Sequence, residues 1–421
     1  MTIALGCIAD DFTGATDLAS TLVKQGMSVI QINGIPKQPI ALNEAEAVVI
    51  ALKSRTTPVE QAITESLEAL QWLLNQGAMQ IFFKYCSTFD STDQGNIGPV
   101  TEALMYALEE TFTIACPAFP TNGRTLYQGH LFVGNCLLSE SGMRDHPLTP
   151  MRDANLVSVL DRQTKGNVGL IPWTTVNQGV TAIQDAIKKL KQDNIQHAIV
   201  DAITDQDLIN IGHACADLKL ITGGSGIAMG LPDNFRRKKS VGNSEAHFPL
   251  NLPGNTAVLA GSCSLATIEQ VATARKQWPA FPIDAISLAD NDRLVDEILQ
   301  WSEQHVENSP ILIYSTASAT EVTHIQSVLG RAEAGEMVEV AMGKIAQGLL
   351  ERGVRKLVVA GGETSGAVVQ ALGVNAMEIG PEIAPGVPWC RTLGDPNILL
   401  ALKSGNFGDK HFFLKAVEQL K

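Results

Sequence analysis

The sequence predicts an α/β protein of two domains, each a largely parallel sheet with helices on both faces. Three observations carry that expectation. From Ile3 to Gly226 a short apolar run, a polar or glycine-rich turn and a helical pattern recur about six times, as in doubly wound domains. Between Leu231 and Gly254 the periodicity disappears into LPDNFRRKKSVGNSEAHFPLNLPG. Beyond it the pattern resumes and feeds glycine turns at Gly261, Gly361 and Gly405. The expected division is residues 1–230, a linker over 231–254 and a second domain over 255–421, and a chain of 421 residues can bury two cores.

The first apolar run, Ile3 to Ala9, reads as a strand buried on both faces. It ends at Asp10, Asp11, Phe12, Thr13, Gly14, Ala15, Thr16 and Asp17, after which Leu18, Ala19, Leu22 and Val23 take up helical spacing. Asp11 or Thr13 can cap that helix, which accounts for one acidic residue and leaves Asp10 and Asp17 over. Adjacent carboxylates at the carboxyl end of a strand sit where open α/β sheets bind ligands. There they can orient hydroxyls, hold a cation or act as a base. Ala47 to Leu52 is the next strand, and Pro58 opens a helix to about Gln76, with Thr57 and Glu60 placed as a capping box. Arg55, at the same edge as the aspartates, is suited to grip a carboxylate with both arms of its fork.

Gln80 to Tyr85 reads as a strand and is followed by CSTFDSTDQGNIG, Cys86 to Gly98. Ser87, Thr88, Ser91 and Thr92, with Asp90 and Asp93 among them, make either a solvated loop or a recognition surface for a polyhydroxylated ligand, with Lys84 supplying positive charge. Ile97 to Glu110 reads as helix and Phe112 to Cys116 as strand. PAFPTNGRTLY then carries Arg124, a second candidate ligand for a carboxylate. His130 lies just beyond, and a lone histidine is more often structural than catalytic. Strands at Asn167–Ile171, Ala198–Asp201 and Leu220–Thr222 and a helix at Gln178–Gln192 complete the first half, with Asp207 placed to cap the helix after Asp205.

A formal net charge of -13 and a pI near 5.1 argue against unassisted binding to nucleic acid or an acidic membrane. Arg236, Arg237, Lys238 and Lys239 sit in a Pro/Gly/Asn-rich connector and read as a solvated linker. No apolar run approaches the roughly 20 residues of a membrane helix. The seven cysteines are odd in number and form no C-x-x-C, which argues against a disulfide framework or a structural zinc. With no basic, apolar leader pattern at the start, the expected location is cytoplasmic.

In the second half, Asn255 to Ala260 delivers Gly261, Ser262, Cys263 and Ser264 to the head of a helix. Cys263 invites a nucleophile hypothesis, but neither histidine nor acid is spaced to complete a triad, and a serine-lined anion site is favoured. Pro310–Ser315 reads as strand, Met337–Glu351 as helix, GPEIAPGVPW from Gly380 to Trp389 as a rigid loop, and Leu399–Leu402 as a last strand before a closing helix. Most informative is RKLVVAGGETSGAVVQALG, in which Leu357–Ala360 runs into Gly361, Gly362, Glu363, Thr364, Ser365 and Gly366 and then a helical pattern. A bare turn needs one glycine at most; two glycines with a carboxylate and two hydroxyls favour an anion at free backbone N–H groups over a structural turn. The Walker pattern is absent. Three such turns in one domain imply a nucleotide-sized ligand, and an acidic, hydroxyl-rich site in the other implies transfer between two ligands in a cleft that excludes water.

ADDFTGATD from Ala9, KYCSTFDSTDQGNIG from Lys84, PAFPTNGRTLYQG from Pro117, LAGSCSLAT from Leu259, GGETSGAV from Gly361 and LKSGNFG from Leu402 together resemble the four-carbon acid sugar kinases, and among them the 3-oxo-tetronate branch. The resemblance covers essentially the whole chain. It implies a sugar-acid domain followed by an ATP domain, with ATP contacts at Ser264, Gly361, Gly362, Glu363, Thr364 and Gly405. It also implies attack of a C4 hydroxyl on ATP, Asp11 and next Asp10 as catalytic carboxylates, and Mg²⁺ held chiefly by the ATP phosphates. The substrate would lie on Asp17, Arg55, Lys84, Ser87, Thr88 and Arg124, with Arg55 and Arg124 anchoring its carboxylate. Many family members carry a leucine–arginine–glycine run where this chain reads Phe89, Asp90, Ser91 and onward to Gly95, a departure that points to the oxo-acid branch. The competing expectations are an erythronate or threonate kinase, an ATP-independent isomerase or decarboxylase of sugar acids, and a nucleotide-regulated binding protein without turnover. A homodimer is the default expectation for assembly.

Overall fold

The computed structural model describes residues 3–42, 44–146, 149–236, 248, 250–291, 293–316 and 330–420. The chain divides into two compact units, Met1–Ala246 and His247–Lys421.

The first unit is built on parallel strands β1 (Leu5–Ala9), β2 (Val29–Asn33), β3 (Ala47–Ala51), β4 (Gln80–Lys84) and β5 (Thr113–Cys116). A small antiparallel sheet follows, β6 (Arg124–Tyr127), β7 (His130–Val133) and β8 (Cys136–Leu137). Three more parallel strands are β9 (Val168–Ile171), β10 (His197–Val200) and β11 (Leu220–Gly223). Their order in space is β2-β3-β1-β4-β11-β5-β10-β9. β1 reads LGCIA because it is buried along its whole length, in register with β3 (Ala9 beside Ala51) and β4 (Ala9 beside Lys84). From β1 the chain crosses to one side and after β3 it returns to the other, so the crevice at the carboxyl ends of β1 and β4 is the switch point where such sheets take ligands.

The second unit contains β12 (Asn255–Ala260), β13 (Ala280–Pro282), β14 (Ile311–Tyr314), β15 (Val354–Ala360), β16 (Ala376–Ala384), β17 (Val387–Thr392) and β18 (Leu399–Lys403). The spatial order is β13-β14-β12-β15-β18-β17-β16, parallel from β13 through β18 and antiparallel at β17 and β16. β12, β15 and β18 are neighbours with Ala260, Ala360 and Lys403 in register, so the turns that follow them share one edge. Trp389, Phe412 and Phe413 are buried in the core of this unit with Val258, Val358 and Leu399.

Several local expectations are corrected. The Gly380–Trp389 loop is instead part of a hairpin, in which Ala384 pairs with Val387 across a two-residue turn. Pro385 presets φ there, and Gly386 takes φ +77. The Thr57–Glu60 capping box does not form. The helix Val59–Asn75 has Pro58 at its cap position with no side-chain cap, and the Thr57 hydroxyl donates back to the Ser54 carbonyl at 3.1 Å. Asp207 is the third residue of the helix Asp205–Ala214, with Thr204 as cap and a reciprocal capping box between them. The strand Val29–Asn33 has no unbroken apolar run to signal it, because Gln31 interrupts it; buried, Gln31 accepts from Thr16 at 2.9 Å. The helix expected from Met337 begins at Arg331. Arg236 is not a free linker residue, since it ends the helix Pro232–Arg236, meets Asp233 at 3.2 Å and donates to the Gln25 carbonyl. Arg237, Lys238 and Lys239 lie outside the described residues. Among the described residues no helix is long and apolar enough to cross a membrane.

Candidate functional site

In the first unit the two aspartates leave β1 side by side and take different work. Asp11 caps the helix Phe12–Lys24: its Oδ1 accepts from the Gly14 N–H at 3.1 Å and its Oδ2 from the Thr13 hydroxyl at 2.8 Å. Asp10 faces Arg55, whose Nε and Nη2 donate to its two oxygens at 2.9 and 2.8 Å, while Nη2 also reaches Asp11 at 2.6 Å. The fork expected to grip a ligand's carboxylate is thus closed on Asp10 in this structure. Its remaining arm, Nη1, stands 3.7 Å from Asp90.

Backbone and side chain both hold Arg55 there. Ser54 and Arg55 N–H groups donate to the Asp10 carbonyl at 3.0 and 3.2 Å. The Asn96 side chain donates to the carbonyls of Ser54, Arg55 and Thr57, at 2.7, 3.3 and 2.9 Å. Lys84, at the end of β4, is 3% exposed, and its Nζ makes no hydrogen bond or ion pair among the described residues. A Cβ on Gly14 would stand 2.3 Å from Asp11 Oδ1 and 2.8 Å from Lys84 Nζ, so only glycine lets the ammonium lie against the capped turn.

These surroundings separate the two carboxylates. Burial pushes Asp10 up, and the Arg55 guanidinium only partly offsets it. Burial also acts on Asp11, but Arg55, Lys84 and the Thr13 and Gly14 donors outweigh it and hold Asp11 below the usual carboxylate range. Cys86 is pushed up to about 12, by burial first and then by Asp90, and so stays a thiol. Thr88 donates to Asp90 at 2.5 Å, which ties the polar loop to the Arg55 cluster.

The other residues expected here are placed differently. Ser87 is half-buried and makes no hydrogen bond among the described residues. Asp17 Oδ2 accepts from Ser225 at 2.5 Å, joining its helix to the turn after β11. Arg124 begins β6, donates through Nη1 to the Asn122 carbonyl and keeps a buried Nε without a partner; no hydrogen bond or ion pair joins it to the Asp10–Arg55 cluster. His130 Nδ1 lies 2.8 Å from the Gln128 carbonyl. Asp90 is named from the sequence only as one acid of the dense polar loop, without its link to Arg55, and Asn96 not at all; its signal was only membership of that loop.

In the second unit the three glycine turns converge. Gly261 and Ser262 N–H donate to the Ala360 carbonyl at 3.0 and 3.2 Å, and Gly361 N–H to Lys403 O at 2.8 Å. A Cβ on Gly261 would stand 2.1 Å from Thr364 Oγ1, and one on Gly405 2.4 Å from Ser262 Oγ. Ser264 caps the helix Leu265–Ala274 by accepting from Thr267 N–H at 3.3 Å and donates to the Gly405 carbonyl at 2.6 Å. Gly361, at φ +130, turns the chain into the helix Gly362–Ala371 with no side-chain cap. The amides of Gly362, Glu363 and Thr364 therefore have no partner among the described residues. Gly362 and Glu363 are exposed, and the space over Gly362 is open. Unpaired amides at a helix start, beside hydroxyls and glycines, are suited to a phosphate.

Known proteins with this architecture divide it the same way. Residues 5–231 match the family model of a sugar-binding N-terminal domain, and residues 257–413 that of a nucleotide-binding C-terminal domain. A 3-oxo-tetronate kinase of Cupriavidus necator is 55% identical over 422 residues, spanning 99% of this chain and 97% of its own. A 3-oxo-tetronate kinase of Burkholderia multivorans is 54% identical over 418 residues, with the same shares. Among solved structures, a Salmonella typhimurium LT2 protein described provisionally as a tRNA synthase matches with a TM-score of 0.92 at 45% identity, over 99% of this chain and 100% of that one. With both domain models matched in one chain and relatives more than half identical along nearly all of it, the chain belongs to the 3-oxo-tetronate kinases, within the four-carbon acid sugar kinase family.

Proposed function

We propose that the chain is an ATP-dependent kinase that transfers the γ-phosphoryl group to the C4 hydroxyl of a 3-oxo-tetronate, releasing ADP and 3-oxo-4-phosphotetronate. The observation that carries this reading is the convergence of three glycine turns on the unpaired amides of Gly362, Glu363 and Thr364, in a chain whose other unit holds a buried carboxylate–arginine–lysine cluster. Phosphoryl transfer asks mostly for alignment and for neutralisation of the phosphoryl oxygens. The amides, with Ser264 and Thr364, would cradle the phosphates, and Gly361 and Gly405 would let them approach. Mg²⁺ enters with ATP as part of that substrate, coordinated by the phosphates.

Asp11 is the proposed acceptor for the attacking hydroxyl. Asp10 has the raised value and would be the stronger base, but Arg55 covers both of its oxygens and its side chain is 7% exposed against 26% for Asp11. Access decides for Asp11, and Asp10 is given the task of fixing Arg55. Lys84, buried without a partner, is proposed to meet the substrate's negative charge, with Arg55 Nη1 and Arg124 as further carboxylate anchors and Ser87 and Thr88 on its hydroxyls. Asp17 acts in this scheme through Ser225. All seven cysteines are free, which supports a reducing, cytoplasmic setting, and a homodimer is proposed only on the general prevalence of two-fold assemblies.

Coupled ADP release with ATP, Mg²⁺ and a panel of four-carbon acids tests the reading. Turnover is expected with a 3-oxo-tetronate and little with erythronate or threonate. Absence of ADP above background with every acid would overturn it.

A further inference from the structure

Lys403 closes β18 and is wholly buried. Its Nζ donates to Thr267 Oγ1 at 3.1 Å, to the Ser404 carbonyl at 3.0 Å and to the Gly405 carbonyl at 2.7 Å. Three donated bonds match the three hydrogens of an ammonium, whereas a neutral amine has two. All three acceptors are uncharged, and among the described residues no carboxylate pairs with the ammonium. Ala360 lies opposite it on β15, and the ring of Phe412 is 6.0 Å away. On the helix Leu265–Ala274 the nearest partner is Thr267, and Glu269 is exposed. On β17, Cys390 and Arg391 pair lower on β18, at Leu400 and Leu399. Past the turn, Asp409 is bound to Lys415, while Lys410 and His411 are exposed; Glu363 of the neighbouring turn is exposed too. Burial alone brings Lys403 down to about 7.

A buried charge without a counter-charge is costly unless something balances it. Here the ammonium is bonded into the Gly405 turn, and the neighbouring turn that carries the unpaired amides is tied to the same residue, since the Gly361 N–H donates to the Lys403 carbonyl at 2.8 Å. The ammonium also sets the orientation of the Gly405 turn. The Gly405 carbonyl collects donors from Lys403, Ser264 and Thr267, at 2.7, 2.6 and 2.9 Å. In a trans peptide the N–H opposes the carbonyl, so the Asn406 N–H is turned away from the cage; it has no partner among the described residues.

We propose that Lys403 is a positioning residue of the nucleotide site, whose buried charge is balanced only when a polyphosphate occupies the three turns, so that nucleotide binding and protonation of Lys403 are coupled. The inference rests on the nucleotide reading of this site and adds a proton to it. An anion in the turns favours the ammonium, and above pH 7 the complex holds a proton that the free protein lacks. Affinity for nucleotide therefore falls as pH rises from about 7.

Calorimetric titration of the full chain with MgADP, in two buffers of different ionisation enthalpy, reads that proton without turnover. With the free group titrating at about 7, uptake approaches about nine-tenths of a proton at pH 8 and falls to about one quarter at pH 6.5. Lys403→Met is expected to abolish the uptake and to weaken MgADP at least about tenfold, the loss of one charge-assisted interaction. Wild-type binding with no proton exchange at either pH would overturn the coupling, whether or not the variant folds. A folded Lys403→Met with unchanged uptake would overturn the assignment to Lys403. If the wild type binds no MgADP at all, the nucleotide reading itself fails and this inference with it.

Discussion

Replacing Gly362 by alanine separates ligand binding from folding more cleanly than any other change in the second unit. A Cβ built on Gly362 meets no atom within 4 Å, and its backbone does not have the positive φ that would demand glycine. The free protein should accept the methyl group and gain about 0.4–1 kcal/mol from a stiffer unfolded chain. The same group would occupy the space over the amides of Gly362, Glu363 and Thr364. Displacing a phosphate oxygen from one amide costs about 1.5–3 kcal/mol, the worth of a hydrogen bond to a charged group, and so weakens ATP about 10- to 150-fold. Gly362→Val should do so more severely. Neighbouring glycines lack this property, since a Cβ on Gly261 would stand 2.1 Å from Thr364 Oγ1 and disturb the site without any ligand. The assay pairs a urea melt with calorimetric ATP titration. ATP affinity within about twofold of wild type in folded Gly362→Ala and Gly362→Val, against the tenfold that one lost bond implies, would remove this turn from the site.

Three further outcomes follow from named contacts. Asp11→Asn keeps an oxygen for the Gly14 N–H but gives up the charge paired with Arg55, so stability should fall by about 1–3 kcal/mol, while kcat falls about 10²–10⁴-fold with ATP affinity intact; equal loss of ATP binding in the folded variant would move Asp11 out of its role. Asn96→Ala frees the carbonyls of Ser54, Arg55 and Thr57, and is expected to cost about 1–3 kcal/mol and to raise KM for the sugar acid, with ATP affinity unchanged in the same preparation. Lys403 is lowered to about 7 in the folded chain, against roughly 10.4 when unfolded, so between these values the unfolded chain holds more protons. Stability of the ligand-free protein should therefore gain a rising contribution from pH 7 towards 10, which denaturation of wild type against Lys403→Met would isolate.

How much of this was legible depended on whether a signal was local. Apolar runs such as Leu5–Ala9 and Leu399–Lys403 announce themselves, because a strand buried on both faces needs no alternation. Glycine turns after β12, β15 and β18 were visible for the same reason; that they meet is a matter of sheet order, which no short window contains. Gln31 hid a strand because its burial is made good by Thr16, fifteen residues away. Gly380–Trp389, the inner part of the β16–β17 hairpin, reads as a loop because Pro381, Pro385 and Pro388 are strand breakers, although irregular pairing around Glu382 accommodates them. Asp10 and Arg55 were picked out separately, but their bidentate pairing depends on β1 lying beside β3. Lys403 lies within LKSGNFG with nothing in the sequence to mark it, since a lysine at a strand end ordinarily reaches water. Only the packed structure shows its ammonium enclosed.

The most direct test of phosphoryl transfer to a sugar acid is ³¹P–¹H correlation of the product formed from ATP and a 3-oxo-tetronate. A phosphorus signal coupled to the two C4 protons, appearing in step with ADP, is the expected result. Inorganic phosphate alone, or phosphorus attached at another carbon, would contradict it.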